Sequence, residues 1–298
     1  MIDSFAPIDP RLFDTVLPDD EQGYPDALAA GDTRDVLWDV CGSASQSFPD
    51  ALWIDPKDWS DKARENDKNK THPRNYSDRF TNQSPSHECV WHSETAGMEC
   101  CWNRTRGIIY DEGPKKNFRY EESALFSSVW FSPLSGYNEA NPSQWGGSSV
   151  RGSLEIAVRR GVLPDKIQPR EYNFKHTLHG TTGRGGKNQS SGPWVSVRNM
   201  PQGWQETAKH FRINEVIFPE SWEQAVCLVL HGMMVHVGRN GHAVPWCRWL
   251  PGQGMEYKDS YDVFRYDSVS TVRSAWRGSY AIASMTSPDD WNNPAGNQ

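Results

Sequence analysis

The stretch Thr81–Gly107, TNQSPSHECVWHSETAGMECCWNRTRG, holds three of the chain's six cysteines and opens on an Asn-Gln pair. A cysteine attacks a carbonyl only as its thiolate, and a helix N-terminus or a nearby imidazolium favours that form. Cys89 stands where the polar loop SPSHE gives way to a proline-free helical pattern that closes on Gly107. Its sulfur is therefore placed to face unpaired N–H groups at the positive end of the helix dipole. Cys100 and Cys101 fall inside the same helical run and lack that placement. Gln83 precedes Cys89 by six residues (89 − 83 = 6), in a loop able to bring its amide beside the sulfur as an oxyanion donor.

These residues resemble the nucleophile signature of papain-like cysteine peptidases, family C1. In that family an Asn-Gln or Asp-Gln pair opens a loop, and the Gln lies six positions before the cysteine that begins the central helix. Three later segments resemble the family in the same order. WGGSSVRGSLEIAVRRGVLP resembles its Gly-Gly segment and following helix, NGHAVPW its His-Ala-Val strand, and YDVFRYDSVSTVRSAWRGSYAI the strand of its orienting Asn with the Trp-Gly and Gly-Tyr run after it. The resemblance spans roughly residues 78–285. It implies Cys89 as nucleophile, His242 as general base and acid, Asp267 as the group that orients His242, and Gln83 as oxyanion donor. It also implies substrate contacts from Gly146 and Gly147, and no metal or cofactor; Trp91, a large aromatic, reads as core or as a cleft wall that binds substrate. The sequence departs from the family at Asp267, where an Asn is usual, and at Ser268–Ser270, where a shielding Trp is expected.

The elements that must position these residues follow from periodicity. A helix is predicted from about Val90 to Gly107, and a second over SSVRGSLEIAVRRG, where Val150, Leu154, Ala157 and Val158 share one face and Gly161 ends the run. EQAVCLVLHG reads as a short helix or buried segment, and MMVHVG, GHAVPWCRWL, YDVFRYDSVS and GSYAIASM as strands between turns. Helices come first and strands later, which predicts an α+β class. Residues 1–78, acidic and then polar with little periodicity, read as an irregular N-terminal extension with a short helix near Pro25–Ala30. For the rest the resemblance refines the class to a papain-like two-lobed fold: a helical lobe (79–200) and a β-barrel-like lobe (201–298). The basic, glycine-rich run between 173 and 193 neither follows a strand nor opens a helix, so it reads as a surface loop and not a phosphate cradle.

Composition bounds the partners. The net charge of −7 makes nucleic acid a poor partner. No apolar run reaches the length of a membrane span, and the first residues lack the pattern of a secretory signal. Six cysteines in 298 residues read as reduced thiols, not a disulfide framework. The expectation is a cytoplasmic or virion-associated protein acting on a peptide or protein substrate. The spacing of Cys227, His231, His236 and Cys247 fits no standard zinc pattern. Two alternatives stand beside the peptidase. Papain-like chains of this divergent kind also occur in bacteriophages, so the resemblance extends to a structural or binding component of a virion, with residues 1–78 contacting other particle proteins. The order Cys, His, Asp is also that of transglutaminase-like acyl transfer; Gln83 and the Gly-Gly segment argue against that reading.

Overall fold

A computed structural model describes residues 45–77, 89–110, 150–163, 204–239, 241–261 and 263–286. Among them, seven strands form one sheet in the order β1-β2-β7-β3-β4-β5-β6. The strands are β1 (Ser45–Ser47), β2 (Ile213–Phe218), β3 (Val235–Arg239), β4 (His242–Leu250), β5 (Gly254–Asp259), β6 (Val263–Ser268) and β7 (Tyr280–Met285). The described helices are α1 (Trp59–Asn69), α2 (Cys89–Thr105), α3 (Val150–Arg159), α4 (Trp204–Ala208), α5 (Trp222–Leu230) and α6 (Val269–Ala275). All neighbouring strands are antiparallel except β1, which adds to β2 in parallel. The α+β class is the one the sequence predicts.

Alternating side chains send the sheet's two faces into two cores. Tyr280 and Ile282 of β7 and Ala243 of β4 pack with Trp91, Met98 and Trp102 of α2 and Leu154 and Ile156 of α3. Ala281 of β7 and Val244 and Trp246 of β4 turn the other way, toward Trp59 of α1 and Val226 and Val229 of α5. Helix α2 is buried along almost its whole length, from Cys89 to Asn103. Such a helix must satisfy its polar side chains internally. Asn103 Nδ2 donates to the Tyr76 carbonyl at 2.7 Å, and Thr95 Oγ1 donates back to the Trp91 carbonyl at 2.8 Å.

The two predicted helix stops behave as glycines must. Helix α2 is followed by Gly107 at φ +66°, and α3 by Gly161 at φ +80°. At Gly161 a Cβ would also lie 2.0 Å from the Ala208 carbonyl oxygen, so the stop is fixed by packing as well as by the left-handed backbone.

Residues 45–77 differ from the irregular extension expected of them. They supply edge strand β1 and an 11-residue helix, α1. Helix α1 buries Trp59, Ala63 and Asn66, at spacings of four and three. The third buried position is polar, which breaks the apolar period a sequence reading looks for. Asn66 Nδ2 donates instead to the Leu230 carbonyl at 2.8 Å, where α5 ends. The helix expected near Pro25–Ala30 lies outside the described residues.

His72, just beyond α1, is 2% exposed and contacts Asp67 through Nε2 at 3.0 Å. Burial, set against the attraction of Asp67, pushes its pKa down from 6.5 to about 4. The folded value lies below the unfolded one, so the neutral ring belongs to the folded state and protonation favours unfolding. Stability is therefore lost as pH falls from 6.5 toward 4. His72→Gln is expected to flatten the stability profile across that window by up to about 3 kcal/mol, read by chemical denaturation at several pH values. An unchanged slope would show that His72 titrates normally.

Candidate active site

Three elements converge at one end of the sheet. Helix α2 packs across β4 and β7, and Cys89 is its first residue, 4% exposed. Arg239 and His242 face each other across the β3–β4 ladder, so two residues connect the strands. Gly241 in that turn has φ +72°, which a tight hairpin demands and which an L side chain resists. The turn sets His242 at the first position of β4. Strand β5 runs antiparallel to β4 with Tyr257 opposite Trp246, which brings its last residue, Asp259, back to the start of β4.

His242 Nε2 lies 3.0 Å from Asp259 Oδ1. The His242 ring also lies within interacting reach of the Cys89 side chain. With Nε2 turned to Asp259, Nδ1 is the nitrogen left for the sulfur. Burial alone would lower the His242 pKa; the hydrogen bond to Asp259, the interaction with Cys89 and the negative charges of both outweigh it and raise the value to about 9. The ring is therefore cationic at neutral pH, which suits it to stabilise a thiolate beside it. Tyr261 stacks over His242 with ring centroids 5.9 Å apart. Its phenol is pushed up by burial and by the negative charges of Cys89 and Asp259.

The other described cysteines are poor nucleophiles. Burial pushes Cys100 up to about 12 and Cys101 to about 11, and raises Cys247 and Cys227 as well. The adjacent Cys100-Cys101 pair is core packing. The four residues weighed as a metal set point to separate partners: His231 Nε2 lies 3.0 Å from the Leu52 carbonyl, Cys227 contacts Ile54, Cys247 contacts the Glu256 carbonyl, and His236 contacts Glu94.

Two sequence expectations need correction. Asp267 does not contact His242. Its carboxylate accepts from the Trp246 indole Nε1 at 2.8 Å and pairs with Arg239 at 2.5 Å, 2% exposed. The carboxylate on His242 is Asp259. The sequence carries a signal for it: an aromatic, Tyr261, stands two residues after Asp259, whereas Ser268–Ser270 follow Asp267. Trp91 is likewise fully buried in the core with α3, not exposed on a cleft wall. Gln83, Gly146 and Gly147 lie outside the described residues.

Beneath the site, Glu94 anchors α2 to its neighbours. Fully buried, it accepts from Ser153 Oγ of α3 at 3.3 Å and from the Tyr280 hydroxyl of β7, and sits 3.2 Å from His236 Nδ1 of β3. The Tyr280 and His236 rings stack at 4.9 Å. This cluster fixes the height and rotation of the helix that carries Cys89.

No family model matches the chain, and no curated protein matches it. Among solved structures the chain is similar to xylellain, a cysteine protease from Xylella fastidiosa, at 11% identity, covering 91% of this chain and 99% of that one with a TM-score of 0.53. At that identity the likeness concerns the fold alone: the α+β architecture of this chain is similar to that of xylellain.

Proposed function

We propose that the chain is a papain-like cysteine peptidase or a related amide hydrolase. The observation that carries this reading is the placement of Cys89 at the start of a buried helix, beside an imidazole whose other nitrogen meets a buried carboxylate. The helical segment (about 79–200) and the strand-rich segment (about 201–298) are the two lobes that flank the cleft in this reading.

The chemistry follows from the three groups. The Cys89 thiolate attacks a peptide carbonyl carbon and the carbonyl electrons move onto oxygen. The backbone N–H of Cys89 and the Gln83 amide hold that oxyanion, each donor worth about 3 kcal/mol. Cationic His242 delivers its proton to the leaving nitrogen as the C–N bond breaks, leaving a thioester on Cys89. Neutral His242 then takes a proton from water, which attacks the thioester and releases the carboxylic acid and the thiolate. Asp259 keeps the imidazole aligned through both halves. Gly146 and Gly147 bind the substrate backbone.

The assembled Cys89–His242–Asp259 arrangement favours this enzyme over a binding component of a viral particle, which has no need of it. Incubation with denatured casein tests the reading. Wild type is expected to yield peptides detectable by mass spectrometry, and Cys89→Ala none. Equal cleavage by both proteins would reject it.

A further inference from the structure

The Asp259 carboxylate has a second partner. Its Oδ1 meets His242, and its Oδ2 accepts from Arg265 Nε at 3.0 Å. Arg265 lies on β6, opposite Tyr257 in the β5–β6 ladder, two residues along from Val263, which faces Asp259. Side chains two apart on a strand share a face, so Arg265 and Asp259 sit diagonally on one side of the ladder. Arg265 is 58% exposed while Asp259 is 4% exposed, so the arginine reaches in from the surface to a buried anion.

We propose that Arg265 is a positioning residue for the reaction: it fixes the plane of the Asp259 carboxylate and offsets its charge, so that Asp259 orients His242 without locking it in the cationic form. The proposal rests on the peptidase reading of Cys89. The need is chemical. His242 must give up its proton to form the thioester and accept one to hydrolyse it. An uncompensated carboxylate in a buried site would hold the imidazolium too firmly. A guanidinium on the far oxygen spreads that charge and leaves one lone-pair direction aimed at the ring.

Among the described residues, other charged or titratable groups lie near Asp259 and His242, Tyr257 of β5 included. Cys89 of α2 and Tyr261 face the ring. His92 of α2 and Lys258 of β5 line the recess behind Asp259. Lys258 directs its ammonium to Ser77 Oγ at 2.9 Å. Among the described residues, Arg265 is thus the arginine paired with the Asp259 carboxylate, on the oxygen that His242 does not contact.

The test uses Arg265→Gln and Arg265→Lys in the full chain. Two readouts serve: the pH dependence of Cys89 labelling by an epoxysuccinyl inhibitor, and the titration of the His242 ring by carbon NMR, assigned by its absence in His242→Gln. Wild type is expected to lose labelling as pH rises through about 9. In Arg265→Gln that limb and the ring titration are expected to move up by about half a pH unit, with slower labelling at neutral pH; Arg265→Lys is expected to restore most of both. Slower labelling with an unmoved titration, or no difference between the Gln and Lys variants, would show a merely structural role and overturn the proposal. If wild-type Cys89 is not labelled at all, the peptidase reading fails, and the His242 titration alone decides whether Arg265 acts on the Asp259–His242 pair.

Discussion

Asp259→Ala is expected to slow labelling of Cys89 by an epoxide inhibitor on the order of 100-fold while costing less stability than Asp267→Ala. Asp267→Ala is expected to do the reverse. The contrast arises from what each carboxylate touches. Asp259 holds Nε2 of a half-buried imidazole whose other nitrogen serves the thiol. Without it the ring is free to rotate and its cationic form loses its counter-charge. Asp267 instead neutralises Arg239 and receives the indole N–H of fully buried Trp246. Removing it strands a largely buried guanidinium that also lies over the Tyr257 ring, a change that typically costs about 3–5 kcal/mol. Stability by denaturant and labelling rate per folded molecule, measured on both variants, separate the two roles. Loss of reactivity in Asp267→Ala with Asp259→Ala unaffected would restore the assignment that the sequence alone suggests.

The second large effect concerns the N-terminal quarter. Deleting residues 1–78 is expected to yield a protein that does not fold, because the segment from 45 to 77 is part of the architecture. Strand β1 extends the sheet from β2, with Ser45 opposite Val216. Trp59 fills one of the two cores, its ring 5.4 Å from Trp222 and 5.3 Å from Trp249, and its indole donates to the Ile54 carbonyl at 3.0 Å. Ser77 receives the buried Lys258 ammonium, and the Tyr76 carbonyl receives Asn103 from α2. Trp59→Ala alone is expected to cost about 3–5 kcal/mol, read by denaturant unfolding. A deletion variant that melts cooperatively at the wild-type temperature would mean that this segment is a detachable leader.

These two cases also show where the sequence was readable. Helices α2 and α3 stood out because each ends at a glycine that the backbone requires, and Cys89 and His242 because their surroundings are distinctive over several residues. Asp259 was hidden by its own strand. Strand β5 reads GMEYKD, and its Glu256, Lys258 and Asp259 obscure the period-two pattern that marks a strand. Lys258 and Asp259 are nonetheless buried, each held by a polar partner. Asp267, 25 residues after His242 (267 − 242 = 25), sat in a more obvious strand and drew the assignment. Asp259, 17 residues after it, was in hydrogen-bonding reach. Helix α1 was missed for a related reason: a buried Asn stands where an apolar residue would complete its stripe. In both places a polar side chain takes a position that pattern reading reserves for an apolar one, and only the partner across the fold explains it.

The central claim is that Cys89 is a nucleophile activated by His242. Intact-mass analysis after exposure to an epoxysuccinyl inhibitor tests it most directly, on wild type, Cys89→Ala and His242→Gln. The account predicts one adduct on wild type, located at Cys89, with none on Cys89→Ala and labelling of His242→Gln slowed by on the order of 100-fold or more. An unmodified Cys89 in the folded wild-type protein, or adducts that fall instead on Cys100 or Cys101, would contradict it.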